Sequence, residues 1–397
     1  MNIRTARSEV MWLSNVKLIL VDRIIENGAL RIVDDKIVEI TESSGQPSGV
    51  TVFPGFIDMH GDMIEIELEP RPKVDFPMDV AVGHLDSRLA AAGVTTAYAA
   101  VSFSRTAIDG QRRSFKHTSE IIRALKQNIQ GLRVDHRIHA RFDMTYTAAI
   151  DALDELLTAG AVDLVSVMDH TPGQGQYRNV ETLVANRIKS GLSEEEARLH
   201  VERRIENAVS AEQIIENLER LSALCKSHNV AMASHDDDTV EKSNLMADLG
   251  VVISEFPVTL EAATVAKERG LMIAMGAPNA MRGQSYSGNL SARVAHSEGL
   301  LHILAADYHP AAILPAIHAL SASDPDGLVG AVRLASANPA KALGLTDRGE
   351  ISEGKRADLV LVDASDRVVQ TFSAGETIFS KGTWLHSANQ LNMRAAV

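Results

Sequence analysis

Eight short apolar runs separated by amphipathic stretches constrain this chain more than any other feature. They lie at Phe53 to Met59, Thr95 to Ala100, Arg137 to Phe142, Asp163 to Met168, Val230 to Ser234, Val251 to Ser254, Met272 to Met275 and Ile303 to Ala306. Short apolar runs alternating with helical periodicity predict βα units and a parallel sheet. Eight of them within about 255 residues is the inventory of a (β/α)8 TIM-like barrel, whose active sites sit at the carboxyl ends of the strands.

The two ends of the chain have a different texture. Val16 to Val21, Ala29 to Val33 and Lys36 to Ile40 alternate with turn signals at Glu26-Asn27-Gly28 and Asp34-Asp35. Asp358 to Val362, Asp366 to Thr371 and Thr377 to Phe379 repeat that character. Such spacing predicts hairpins. The expected organisation is therefore α/β, with a small β-sandwich domain from residues 1–52 and 347–397 and the barrel over 53–346. Residues 177–229 are too long for a simple βα connection. Ser193 and Glu196 there form a capping box, and Ile214, Ile215, Leu218 and Leu221 form an apolar stripe. This predicts a helical insertion, packed on the barrel or used in oligomerisation, with a lid over the site as the alternative.

Besides the first, five of the eight runs stop in His, Asp or Glu. The first ends His60-Gly61-Asp62, where period-two alternation puts the imidazole and the carboxylate on one side. The third carries His139, Arg141 and Asp143 on one side. The fourth ends Met168-Asp169-His170, the fifth His235-Asp236-Asp237, the sixth Ser254-Glu255, and the eighth Asp307-Tyr308-His309. Each alone fits an ordinary polar strand end. Together His60, Asp62, His235 and Asp307 provide the donors of a hydrolytic metal centre, with His170 a further ligand and Asp307 placed to accept a proton from the attacking water. Glu255 is the next candidate for that acid–base role. Arg71 and Lys73 follow the first strand and Arg282 the seventh, so these cations are expected at one barrel mouth. His139, Arg141 and Asn279 are read as further substrate contacts.

Composition narrows the partners. The formal net charge of −13 argues against nucleic acid and anionic membrane surfaces, and no window is apolar for long enough to span a bilayer. The single cysteine, Cys225, excludes an internal disulfide and a thiolate cluster. A reducing cytoplasm is the expected location, and any metal must be held by His, Asp and Glu. A small anionic substrate is not excluded by the net charge, since local cations and a metal decide that, and a homo-oligomer, a dimer, is expected. Gly283 to Gly288 fails the spacing of a nucleophile elbow, and no dinucleotide fingerprint or Walker motif occurs.

The sequence resembles the amidohydrolase superfamily through its PGFIDMH segment at the start of the barrel and SANPAKALGL…RGEISEGKRADLVLVD from Ser336 to Asp363. More narrowly it resembles the PhnM family, the alpha-D-ribose 1-methylphosphonate 5-triphosphate diphosphatases of the carbon–phosphorus lyase pathway. The matching segments are PRPKVD (Pro70 to Asp75), SVMDHTPGQ (Ser166 to Gln174), ASHDDDT (Ala233 to Thr239), SEFPVTLEAA (Ser254 to Ala263), MGAPNAMRGQSYSGN (Met275 to Asn289) and ADYHP (Ala306 to Pro310). The resemblance implies an amidohydrolase-type barrel that hydrolyses a triphosphate chain and releases diphosphate in phosphonate metabolism. It also implies one or two divalent ions, zinc first, with manganese or iron as alternatives. The sequence departs from the superfamily's usual pattern in offering Asp62 for the second His of strand one, Glu255 for the His of strand six, and no Lys at the end of strand three or four. The metal count and bridging ligand stay open at this point. A C–N hydrolase, acting on an amide or cyclic amide, is the alternative on the same scaffold.

Overall fold

The computed structural model describes residues 10–71, 74–104, 115–128, 131–169, 171–189, 191–285 and 288–381. Packing divides the chain into two compact units, one of residues 1–97, 129–136 and 304–397, the other of residues 98–128 and 137–303.

The chain opens with β1 (Val10–Ile19), β2 (Ile24–Val33), β3 (Lys36–Glu42) and β4 (Thr51–Pro54). Eight strands follow: β5 (Phe56–Gly61), β6 (Val94–Phe103), β7 (Asp135–Asp143), β8 (Leu164–Met168), β9 (Ala231–His235), β10 (Ile253–Glu255), β11 (Met272–Gly276) and β12 (Leu301–Ala305). The last three are β13 (Leu359–Val362), β14 (Val368–Ser373) and β15 (Glu376–Ser380).

Strands from both termini make one seven-stranded sheet in the order β15-β14-β13-β4-β1-β2-β3. Its buried face is apolar at alternate positions, with Leu30 and Ile32 of β2 packed among Leu13, Leu18, Ile37, Val52, Leu359, Leu361 and Phe372. Each such side chain contributes about 1.5–3 kcal/mol on burial. Two sequence expectations change here. The Asn27-Gly28 signal is no turn, because Gly28 lies inside β2 opposite Val16, where the β1–β2 register shifts. A Cβ on Gly28 would approach Leu18 Cδ1 to 2.7 Å, so the glycine marks close packing at a bulge. The run read as one strand over Phe53 to Met59 is two. β4 pairs with β1 and β13, whereas β5 belongs to the other sheet, and the chain crosses at Gly55. A Cβ there would lie 2.3 Å from Thr95 Oγ1, which explains the glycine.

The second sheet has eight strands in the order β12-β11-β10-β9-β8-β7-β6-β5 and forms the near-closed parallel barrel. Its strands are buried nearly throughout, as parallel strands covered by helices must be. Just beyond β12, Asp307 bridges to Gly61 at the end of β5. The long connection between β8 and β9 resolves into two parts. The helix Ala211–Ser227 buries Leu218, Leu221 and Cys225 against the helix Ile150–Thr158 and β9, as a regular barrel helix does. The helices Val180–Lys189 and Glu194–Glu206 are the additional pair, with a core of their own from Leu183, Val184, Ala197 and Val201. The capping box at Ser193 and Glu196 is present. No helix among the described residues is long and apolar enough to cross a membrane.

Candidate active site

In the first unit β5 is buried along its whole length and ends at Gly61. His60 is 1% exposed. Asp307 is nearly 250 residues away in sequence, yet its N–H donates to the His60 carbonyl at 2.9 Å and its carbonyl accepts from Asp62 N at 2.7 Å. These bonds fix the backbones of His60, Asp62 and Asp307 side by side. Asp62 lies one residue beyond the strand and is half-buried, as is Asp307. Asp58, which sequence reading passed over, is fully buried, and its Oδ1 accepts from His60 N at 3.1 Å and Ala306 N at 2.8 Å. Burial pushes its carboxyl up to about 6, and the nearby Asp307 charge acts in the same direction. Period-two alternation with His60 was the available signal for it.

In the second unit, β9 and β10 pair in parallel with His235 opposite Glu255. Side chains opposite one another on neighbouring strands share a face, so His235 Nδ1 reaches Glu255 Oε2 at 3.1 Å. Arg141 donates from Nη2 to His235 Nε2 at 3.1 Å. That nitrogen therefore accepts, and the ring proton sits on Nδ1, aimed at Glu255. His139 is fully buried, with Nε2 2.8 Å from Ser166 Oγ and 3.7 Å from Glu255 Oε1. The structure thus gathers His139 and His235 around the Glu255 carboxylate, with Arg141 on the far nitrogen of His235, from three non-adjacent stretches. Asp237 is also fully buried but accepts from the hydroxyls of Ser234 and Ser254. Asp143 ends β7, where Thr145 donates to it from both N and Oγ1; burial pushes its carboxyl up, with the Asp169 charge adding to the shift.

The backbone is strained at these strand ends. Asp236, Phe256 and Asp307 have φ of 56°, 51° and 56°, in the left-handed region that β-carbons disfavour, at a cost on the order of 1–3 kcal/mol each. Each follows a barrel strand and sends its N–H to a carbonyl of a neighbouring strand: Asp236 to Glu255, Phe256 to Ala274, Asp307 to His60. Such strain persists where the surrounding hydrogen bonds over-determine it, and it concentrates at functional sites.

Asn279 lies on the short helix Ala277–Arg282 directly after β11, and its Oδ1 accepts from Ala292 N at 3.0 Å. Arg282 is exposed in the last turn of that helix, and Arg71 is exposed in a short bridge with Val74. Lys73 and His170 lie outside the described residues.

The donor types suit a divalent ion. His60, His139 and Glu255 are all buried, and each offers a ligand atom of the kind such an ion takes. A fully buried carboxylate among imidazoles is costly unless a cation neutralises it. His235 Nε2 already faces a cationic group, the Arg141 guanidinium. Imidazole and carboxylate without thiolate fit a borderline metal such as zinc.

Imidazoles and carboxylates stand at the strand ends of this barrel, and comparison with known proteins gives the chain a family. The amidohydrolase family matches residues 51–379, and the chain belongs to that family. It is 36% identical over 367 residues to the alpha-D-ribose 1-methylphosphonate 5-triphosphate diphosphatase of Escherichia coli (strain K12), a match covering 90% of this chain and 96% of the relative. Among solved structures it is similar to an N-acetyl-D-glucosamine-6-phosphate deacetylase from Mycobacterium smegmatis, with TM-score 0.63, 16% identity, and coverage of 94% of this chain and 100% of the other. It is similar also to a beta-aspartyl dipeptidase from Fervidobacterium islandicum AW-1, with TM-score 0.59, 16% identity, and coverage of 94% and 97%. At these identities the solved structures speak for the fold alone.

Proposed function

We propose that this chain is a metal-dependent hydrolase of a ribosyl triphosphate, alpha-D-ribose 1-methylphosphonate 5-triphosphate or a close analogue, releasing diphosphate in phosphonate metabolism. The observation that carries this reading is the 36% identity to the Escherichia coli diphosphatase across nearly the whole of both chains. The PRPKVD and APNAMRG segments, specific to the resemblance, bring Arg71, Lys73 and Arg282 with them.

In the second unit His139 and Glu255 would hold a divalent ion, and His235, both of whose ring nitrogens are engaged, would orient Glu255; the ligands expected from sequence are His60, Asp62, His170, His235 and Asp307. When bound, such an ion supplies a Lewis acid for a phosphoryl oxygen and acidifies water. The protein's own residues do the rest. Glu255 and Arg141 fix His235 from its two nitrogens, which sets ring tautomer and orientation. Asp307, held by its backbone bonds to His60 and Asp62, accepts the proton of the attacking water. Arg71, Lys73, Arg141 and Arg282 offset charge on the phosphate chain, and Asn279 adds a polar contact. A cytoplasmic homodimer is the form in which we expect it to act.

The test is a ratio of activities. Diphosphate release from a ribosyl triphosphate is measured beside hydrolysis of a small neutral amide, in the wild type and in Arg282→Ala, Arg71→Ala and Lys73→Ala. Arg282→Ala is expected to weaken triphosphate turnover by roughly 2 kcal/mol and to leave any amide activity unchanged. A wild type that prefers the amide would hand the site to C–N hydrolysis.

A further inference from the structure

Glu255 ends β10, a strand of three residues. Its ladder with β9 sets Ile253 against Ala233, Ser254 against Ser234 and Glu255 against His235. On its other side β10 meets Met272, Ile273 and Ala274 of β11, whose side chains are apolar. A slip of one residue against β9 would turn Glu255 to the opposite face and away from His235. So short a ladder resists that slip weakly.

Asp237 adds a second hold on the same two strands. It is fully buried, as are Ser234 and Ser254. Each serine comes one residue before His235 or Glu255, so the two hydroxyls stand across from each other on the face opposite to that pair. Both donate to a single oxygen, Asp237 Oδ2, Ser254 from 3.0 Å. That oxygen ties β9 to β10 directly behind the imidazole and the carboxylate. The backbone repeats the tie, since the Asp237 carbonyl accepts from Val258 N at 2.8 Å and Asp236 N donates to the Glu255 carbonyl at 2.9 Å. The other carboxylate oxygen, Asp237 Oδ1, makes no hydrogen bond and lies 3.7 Å from Lys242 Nζ. Lys242 belongs to the helix Val240–Asp248, its side chain is 12% exposed, and its Nζ also donates to the Asp236 carbonyl at 3.5 Å. Two hydroxyls and an ammonium together offset the cost of burying this charge.

We propose that Asp237 is a positioning residue for the His235–Glu255 pair: by collecting the Ser234 and Ser254 hydroxyls it fixes the register of β10 against β9, with Lys242 holding its charge. The inference rests on the reading of Glu255 as a metal ligand and His235 as the group that orients it, and on no particular substrate. Asp237 acts on the ion through the strands, as residues behind a ligand do when they set its direction.

Two readouts on the full-length protein test this. One is zinc affinity, from competition with a chromophoric chelator. The other is imidazole nitrogen NMR of the chelated protein, with the His235 signals identified by their loss in His235→Gln. The wild type is expected to show His235 protonated on Nδ1 alone, the form its contacts with Glu255 and Arg141 select. Asp237→Ala is expected to mix the two tautomers and to weaken zinc binding by about tenfold to a hundredfold. Asp237→Asn, whose side-chain oxygen can still accept from both serines, is expected to keep the tautomer and most of the affinity. Wild-type affinity and an unmixed tautomer in Asp237→Ala overturn the proposal, and a lowered melting temperature in that variant would then make Asp237 a stabilising residue only. Should Asp237→Ala not fold, the double variant Ser234→Ala, Ser254→Ala takes its place, and wild-type values of both readouts there overturn the proposal equally. If the wild type cleaves no ribosyl triphosphate but both readouts move in Asp237→Ala, the positioning role stands and the proposed reaction falls. If the wild type cleaves it and neither readout moves, the reaction stands and the positioning role falls.

Discussion

Asp307 combines a costly backbone with a position beside His60, and the two properties separate experimentally. Asparagine tolerates the left-handed conformation as well as aspartate does, and its carbonyl can still serve as an oxygen donor. It cannot accept a proton at neutral pH. Asp307→Asn is therefore expected to lose about 100-fold or more in turnover while keeping most of its bound metal, measured by elemental analysis beside the rate. Normal turnover across the pH range would move the proton acceptor to Glu255 or Asp237. A different carboxylate, Asp86, carries stability. It accepts from Val134 N at 3.0 Å, Arg133 N at 3.1 Å and His136 Nε2 at 3.1 Å. Burial alone would raise its pKa, but the His136 and backbone hydrogen bonds outweigh burial and hold it below the usual range. A depressed carboxylate favours the folded state above its unfolded pKa and loses that contribution as pH falls through the folded one. Asp86→Asn is expected to cost about 1–3 kcal/mol at pH 7, with the gap from wild type closing below about pH 4. Equal denaturant midpoints at pH 7 would contradict this.

Elements were legible where one local rule decided them. The Ser193 capping box could be read because the cap and its Glu196 partner are three residues apart and need no tertiary context. Ser193→Ala is expected to cost about 1 kcal/mol, confined to faster amide exchange over residues 194–206. An equal loss of protection across the barrel strands would show instead that the helical pair and the barrel unfold together. The barrel strands were legible for the same local reason, as short apolar runs between helical patterns. The exchange of sheets at Gly55 was not, because Thr51–Pro54 and Phe56–Gly61 form one continuous apolar pattern and only their pairing partners differ. The bulge at Gly28 was hidden likewise, since a glycine after asparagine signals a turn unless the facing Leu18 side chain is known. At the site, His60, His235, Glu255 and Asp307 were legible as polar strand ends. The Ser166 and Arg141 contacts were not, because they depend on register between strands.

At the scale of the whole molecule, a bound ion acts on stability as well as on chemistry. Buried carboxylates and imidazoles gathered at the barrel strand ends lower the stability of the metal-free protein, since each charge is desolvated and neighbouring carboxylates oppose one another, as Asp143 and Asp169 do. An ion that binds the folded chain and not the unfolded one adds RT ln(1 + [L]/Kd), about 2.7 kcal/mol at a hundredfold excess over Kd. For a unit of this size each kcal/mol shifts the melting temperature by roughly 2–4 °C, so stripping the metal is expected to lower it by roughly 5–10 °C. Turnover should vanish in the same step, and zinc should restore both. The terminal sheet has its own apolar core from Leu13 to Phe372. Its amide protection is therefore expected to fall less than that of β9 and β10, which carry His235 and Glu255. Glu255→Gln supplies the control, because its melting temperature should respond little to added zinc. A chelated wild type that keeps both its melting temperature and its turnover would leave the buried donors as structure only, with Glu255 held by His235 and His139.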